Sequence, residues 1–302
     1  MATVSSGIAD DRKDAAPPGG TPRPAAIAQP LPDALTPALT DAAFWDDYWR
    51  NIPLPSEVKH TPTGLYMNAI LGVLDRHLPH NPGWRALEIG GAPGTYLAYL
   101  HKRFAYDVCC LDSSPVGCAK TRENFDLLNI PGHVHEADFL NDPPSLPPFD
   151  VVLSLGLIEH FDDPMPVVGA HVALLRPGGF LVLGCPNLNG LGGWLLRRLA
   201  PRLMDRHNAA TTTLARFRDF ERRFGLTRRF AGYVGGFEPR NYIRCENETF
   251  ANRALRRLMA DLAKAISPRF GFLRRFNSPY HSGYLMAVYQ TTHINPQATT
   301  IG

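Results

Sequence analysis

Residues 87–94 read Leu-Glu-Ile-Gly-Gly-Ala-Pro-Gly and stand between an apolar run and a helical pattern. A glycine-rich turn directly after a buried strand leaves few alternatives. The chain leaves a sheet, turns where side chains do not fit, and enters a helix. The unit then repeats. Arg85–Ile89, Asp107–Leu111, His133–Ala137, Phe149–Leu155 and Phe180–Cys185 read as strands. Helical patterns lie between them. The first runs from Thr95 to Phe104 with Tyr96, Leu97, Leu100 and Phe104 on one side, and the second from Pro115 to about Leu128. The third runs from Pro164 to the break Arg176-Pro177-Gly178-Gly179. Ser114 and Asp163 each precede a proline, the sign of an N-cap followed by the first helical residue. Strand–helix alternation of this kind predicts a parallel sheet with helices on both faces. The apolar run Val108–Leu111 suits a strand buried on both sides.

The flanks are less regular. Residues 1–40 hold seven prolines and no aromatic residue, so they cannot bury enough apolar surface to offset ordering; they read as a disordered tail. Residues 41–83 read as an N-terminal helical lid, with Trp45, Tyr48 and Tyr66 either covering the site or anchoring the helices. The main domain is expected over 84–292, with a flexible tail at 293–302. Phe217–Phe224 reads as a helix, and Thr227–Val234 and Ser282–Gln290 as the last strands. A helical insertion at about 238–281 separates those two strands. Its amphipathic part, Arg253–Ile266, gathers Leu255, Leu258, Met259, Leu262 and Ile266 on one face.

The turn chemistry narrows the ligand. Counting from Gly90, Ala92 and Thr95 stand where a dinucleotide fingerprint needs glycine, and no Gly-Lys-Ser/Thr follows. A phosphate-rich ligand is therefore not indicated. What remains is Glu88, Gly90 and Gly94: a carboxylate for an ammonium group, and backbone N–H groups for a carboxylate. Asp112 follows the second strand, where an acid can accept both ribose hydroxyls. Asp138 follows the third, suited to an adenine amino group, and Phe139 offers a flat face for the ring. Three acids after three successive strands point to a cationic nucleoside cofactor without phosphates, of which S-adenosylmethionine is the common one.

With these residues in view, the chain resembles the class I S-adenosylmethionine-dependent methyltransferases, in particular the small-molecule group that includes ubiquinone-biosynthesis-type enzymes. The resemblance rests on residues 87–94, Cys110-Leu111-Asp112-Ser113, Glu136-Ala137-Asp138-Phe139, Phe149–Val152 with Gly156–His160, and Leu175–Gly179. It implies a Rossmann-like seven-stranded α/β sheet of order 3-2-1-4-5-7-6 with the last strand antiparallel. It also implies that Gly91, Ser113 and Leu155 join the cofactor set, and that His160 is the catalytic candidate, a base for a hydroxyl acceptor. Ala92-Pro93 departs from the further glycine many members carry.

Metal and thiol chemistry are not expected. His133 and His135 share a strand face, but no further ligand stands at a recognisable spacing. Cys185 precedes Pro186 and reads as a buried thiol, and the five cysteines show no framework spacing. The implied acceptor is a small molecule, methylated at oxygen, nitrogen or carbon. An RNA acceptor is disfavoured because Ser154-Leu155-Gly156-Leu157 replaces the proline-aromatic motif of base-flipping enzymes. A non-catalytic cofactor-binding protein is the third reading.

Charge divides the chain. Residues 1–186 carry 12 lysines and arginines against 21 acids, whereas residues 187–302 carry 19 against 7. Trp194, Leu195, Leu196 and Leu199 lie beside Arg197, Arg198 and Arg202, and Phe270, Phe272, Leu273 and Phe276 interleave with Arg269, Arg274 and Arg275. Such segments suit an anionic membrane surface or a lipid-linked acceptor. The expected location is cytoplasmic, with peripheral membrane contact.

Overall fold

The computed structural model describes residues 37–61, 64–237, 249–255, 257–258, 261 and 276–292. Seven strands form one sheet of order β3-β2-β1-β4-β5-β7-β6. They are β1 (Arg85–Ile89), β2 (Asp107–Asp112), β3 (His133–Glu136), β4 (Phe149–Leu155), β5 (Leu175–Pro186), β6 (Leu226–Phe237) and β7 (Ser282–Thr291). β1 to β5 pair in parallel, and β7 runs antiparallel to both β5 and β6. This is the sheet and strand order that the resemblance implied.

The helices are α1 (Ala42–Arg50), α2 (Leu65–His77), α3 (Thr95–Phe104), α4 (Pro115–Leu128), α5 (Pro164–Ala173), α6 (Leu191–Leu199), α7 (Pro201–Met204) and α8 (Leu214–Phe224). The alternating side chains of each strand divide the core into two layers. On one face, Ala86, Cys110, Val151, Leu153 and Val182 pack with Leu71 and Leu74 of α2 and Leu97 and Leu100 of α3. On the other, Leu87, Ile89, Leu111, Val152 and Leu183 pack with Val167 of α5 and Phe217 and Phe220 of α8. Both predicted caps form: the Ser114 side chain accepts from Gly117 N–H, and that of Asp163 from Met165 N–H.

One boundary differs from the pattern reading. α5 ends at Ala173, and Arg176–Gly179 belongs to β5. Leu175 pairs with Phe149, and the ladder then shifts register before Val151 pairs with Phe180. Pro177 cannot donate to a ladder and Gly178 has a φ of 77°, so the break signals an irregular strand entry as well as a helix end. The predicted helix Arg253–Ile266 and the segment Phe270–Phe276 lie mostly outside the described residues. Within them, 253–255, 257, 258 and 261 are helical.

α1 and the strap after it attach to α4 and line the cavity at the carboxyl edge of the sheet. Asp41 caps α1 through Phe44 N–H. Asp46 accepts from the Ser114 hydroxyl, which joins α1 to the start of α4. Trp49 packs against Gly117, where an added Cβ would come 2.8 Å from its ring. Further on, Asn124 of α4 accepts from Ser56 N–H at 2.7 Å and donates to Ser56 C=O at 2.9 Å.

Candidate active site

The parallel strands end at one edge, and the order reverses between β1 and β4, where open α/β sheets hold their ligands. A cavity of about 1490 Å³ opens there. Single small-molecule pockets run to about 300–1,000 Å³, so it has room for a cofactor and a second ligand. Glu88, Gly90, Gly91, Asp112, Ser113, Asp138, Phe139, Leu155 and His160 all line it. Gly94 does not; it caps α3 in the left-handed region with φ 80°, and a Cβ there would strike Phe125 at 2.5 Å.

Glu88 sits near the end of β1, 3% exposed, and its Oε2 has no hydrogen-bond partner among the described residues. Gly91 makes room for it, since a Cβ on Gly91 would lie 2.7 Å from Glu88 Cγ. Burial, with Asp112 nearby, pushes the Glu88 carboxyl well above its usual range. A buried carboxylate without a counter-charge calls for a cationic ligand. Asp112 ends β2. Its Oδ1 accepts from Ser114 N–H at 2.9 Å and its Oδ2 from Ala92 N–H at 3.2 Å, which holds both oxygens in fixed directions at the cavity wall. Burial raises its pKa, against the pull of those N–H groups. Asp138 is more exposed and more occupied. Its carboxylate accepts from Leu140 N–H, Asn141 N–H and the Asn141 amide. Burial pushes this acid up, but the Asn141 and Leu140 hydrogen bonds outweigh it and bring the pKa below the usual value. Phe139 stands edge-on to Phe161 and His171.

β4 leads through Gly156 into a 3-10 turn, Ile158–His160, and His160 also lines the cavity. His160 Nδ1 lies 2.9 Å from Arg206 C=O. A carbonyl only accepts, so Nδ1 carries the proton and Nε2 keeps its lone pair. Burial and the neighbouring His207 push the His160 imidazolium down to about 3, so the ring is neutral at physiological pH. Trp45 stands edge-on to it with ring centroids 5.0 Å apart. Met67, Leu188, Leu196, Leu203 and Met204 add apolar wall. Four of these come from the segment between β5 and β6, where the sequence showed only the amphipathic stretch around Leu196. His207 also went unnoticed there. Cys185 is fully buried, and burial pushes its thiol well above the usual value, in keeping with a structural role. His133 and His135 belong to no three-ligand cluster among the described residues.

A seven-stranded sheet in this order, with acids at the ends of β1 and β2, defines a class I methyltransferase of the S-adenosylmethionine-dependent type. The chain belongs to this family: a model described as a methyltransferase domain matches residues 65–261. It is 29% identical over 132 residues to a ubiquinone biosynthesis O-methyltransferase of Xanthomonas campestris pv. campestris, a match covering 40% of this chain and 54% of the relative. The chain thus spans about half the length of the curated relatives it matches. Among solved structures, it is similar to a geranyl diphosphate C-methyltransferase from Streptomyces coelicolor A3(2), at a TM-score of 0.54 and 12% identity over 83% of this chain and 98% of that one. A SAM-dependent methyltransferase from Thiobacillus denitrificans, in complex with S-adenosyl-L-homocysteine, matches at a TM-score of 0.50 and 14% identity, covering 82% of this chain and 96% of that one.

Proposed function

We propose that this chain transfers the methyl group of S-adenosylmethionine to a hydroxyl oxygen of a small, largely apolar acceptor. One observation carries the reading. A single cavity is lined by Glu88, Asp112 and Asp138 and also by His160 with Leu188, Leu196, Leu203 and Met204. The first set suits a cationic nucleoside, the second an apolar body with one polar atom. The relative named as an O-methyltransferase supports oxygen as the acceptor atom.

In this transfer an oxygen lone pair forms the new O–C bond. When bound, the sulfonium would supply the methyl group: its S–C bonding pair returns to sulfur, its charge disappears, and the hydroxyl proton passes to His160 Nε2 as the new bond forms. Most of the rate comes from aligning oxygen, methyl and sulfur in a site closed to water. Trp45 and Tyr48 of α1 line the cavity and, as the proposed lid over residues 41–83, exclude water from it. His160 offers Nε2 to the acceptor hydroxyl. A conjugate acid held to about 3 makes it a weak base, so its main contribution is to orient the hydroxyl.

The same reading extends to a lipid-linked acceptor. Leu196 of α6 faces the cavity, while Trp194 and Leu191 of the same helix are 57% and 37% exposed. A helix with one face on the acceptor wall and another in solvent suits delivery from a membrane surface. No helix among the described residues is long and apolar enough to cross a membrane, so the proposed contact is peripheral.

The test has two stages. Titration calorimetry should show one S-adenosylmethionine bound per chain, and labelled methyl transfer to a panel of phenols and catechols should then identify the acceptor class. Binding without transfer to any acceptor would leave a cofactor-binding protein. His160→Ala should lower kcat by about 10²-fold with cofactor affinity unchanged; unchanged turnover would remove His160 from the acceptor's path.

A further inference from the structure

We propose that Tyr66, Tyr96 and Tyr284 form an aromatic box that holds the sulfonium centre of bound S-adenosylmethionine and separates it from the uncharged product. All three line the cavity, and they come from three elements, α2, α3 and β7. The ring centroids of Tyr66 and Tyr284 stand 5.6 Å apart with their planes at 85°, so the two rings make adjoining walls near a right angle. The Tyr96 hydroxyl lies 3.7 Å from Sδ of Met67, the residue after Tyr66, and Met67 lines the cavity too.

Two glycines make room for these rings. Tyr284 lies across Gly184 of β5, where an added Cβ would come 2.7 Å from Tyr284 Cε1 and 2.6 Å from Leu155 Cδ2. Gly235 of β6 leaves the matching slot for Tyr66, since a Cβ there would stand 2.8 Å from Tyr66 Cδ2. Val234 pairs with Tyr284, so the two slots adjoin. Glycine weakens a strand interior, and it is found where something approaches the backbone closely. At both of these glycines the close neighbour is a ring that also lines the cavity.

The position and the charge both suit a cation. Tyr66, Tyr96, Leu155 and Tyr284 pack on the sheet face of Ala86, and by alternation Glu88 shares that face. The inference rests on the cofactor reading, in which Glu88 takes the ammonium group and Asp112 the ribose. Sulfur joins those two arms of the cofactor, and its third substituent, the methyl group, points away from both. Next to Glu88 the sheet continues through β4 and β5 to β7, the strands that carry Leu155, Gly184 and Tyr284. Burial pushes the Tyr96 phenol up, with Glu88 adding to it, and pushes that of Tyr284 well up, with Tyr66, Tyr96 and Glu159 adding. Both phenols are therefore neutral at physiological pH and offer ring faces rather than phenolate charge. A desolvated cation over such faces is attracted by the ring quadrupole. The attraction follows the charge, which fades as the methyl group leaves. It therefore favours cofactor loading and product exchange and does not speed the chemical step.

The experiment is titration calorimetry on the full chain, with S-adenosylmethionine and S-adenosyl-L-homocysteine measured separately. The variants are Tyr66→Leu, Tyr284→Leu, Tyr66→Phe and Tyr284→Phe, each checked for folding by its thermal melt. Each Leu variant should bind S-adenosylmethionine about tenfold more weakly and S-adenosyl-L-homocysteine as well as the wild type does, whereas the Phe variants, which keep the ring face, should retain the wild-type ratio. Equal weakening of both ligands in the Leu variants overturns the box, because a merely structural tyrosine would act on both alike. Tyr66 is only partly buried at the start of α2, so if Tyr284→Leu fails to fold, Tyr66→Leu decides alone. A wild type that binds neither ligand overturns the methyl-transfer reading together with the box. A wild type that binds both, at a ratio no Leu variant changes, overturns the box alone.

Discussion

A carboxylate at a strand end is unremarkable until its surroundings are known, and Asp112 illustrates this. Its oxygens accept from Ala92 and Ser114 N–H groups, and the residue lines a wide cavity. If they also hold a ribose diol, Asp112→Ala should weaken S-adenosylmethionine binding by about 1.5–3 kcal/mol, read by calorimetry; unchanged affinity would sink the ribose assignment. His171 makes a different prediction. It lies fully buried in α5, and burial pushes its imidazolium down to about 4, against the pull of Val167 C=O. The unfolded chain takes up this proton near pH 6.5 and the folded one only near 4. Stability present above pH 6.5 is therefore lost as pH falls through that window, by about 3 kcal/mol at most for this group. Denaturant melts of wild type and His171→Leu at pH 7 and pH 4.5 should show the variant losing less on acidification. An equal loss in both would mean that other groups govern acid sensitivity.

Among the elements, α1 lines the cavity, and if it acts as the proposed lid its attachment decides whether the cavity closes. It holds through Asp46 on Ser114 and Trp49 on Gly117, both at the start of α4. Ser114 thus serves two elements: its hydroxyl oxygen accepts from Gly117 N–H at 2.9 Å as the α4 cap and donates to Asp46. Ser114→Ala should cost about 1–2 kcal/mol of stability, at the upper part of the range for a lost cap. Because the α1 tether goes with it, proteolysis between residues 37 and 58 should also accelerate. Stability lost without faster cleavage there would show that the Trp49 packing alone retains α1.

The whole molecule carries its charge unevenly, and the structure divides the basic half between roles. Arg197 donates to Leu188 C=O at 3.2 and 3.1 Å, and Arg228 pairs with Glu221 at 2.8 Å, so part of the surplus is structural. Leu195 and Leu199 of α6 are buried, while Trp194 projects beside Arg198. If this face meets an anionic bilayer, the chain should sediment with anionic but not neutral vesicles. Salt should weaken that binding, as should Trp194→Ala combined with Arg198→Glu. Failure on both vesicle types would leave a chain that takes its acceptor from solution.

The strands, both N-caps and the acids that line the cavity were legible in the sequence because each is a local pattern. A buried parallel strand needs an apolar run, a helix start needs a capping side chain, and a nucleoside site at a sheet edge needs acids just after strands. These depend on residues within a few positions of one another. The strand order came from the resemblance, since pairing across the sheet leaves no local trace. The entry to β5 was misread because Pro177-Gly178-Gly179 breaks a helix and distorts a strand equally well, and only the pairing of Leu175 with Phe149 decides between them. Asp138 was read as an acceptor for an adenine amino group, and only the folded chain shows that Asn141 and Leu140 already engage its carboxylate. The meeting of Tyr66 with Tyr284 was beyond the reach of spacing altogether. It depends on the pairing of β6 with β7, which sets Val234 opposite Tyr284 and Gly235 against Tyr66, and contacts between distant segments exist only once the chain has closed on itself.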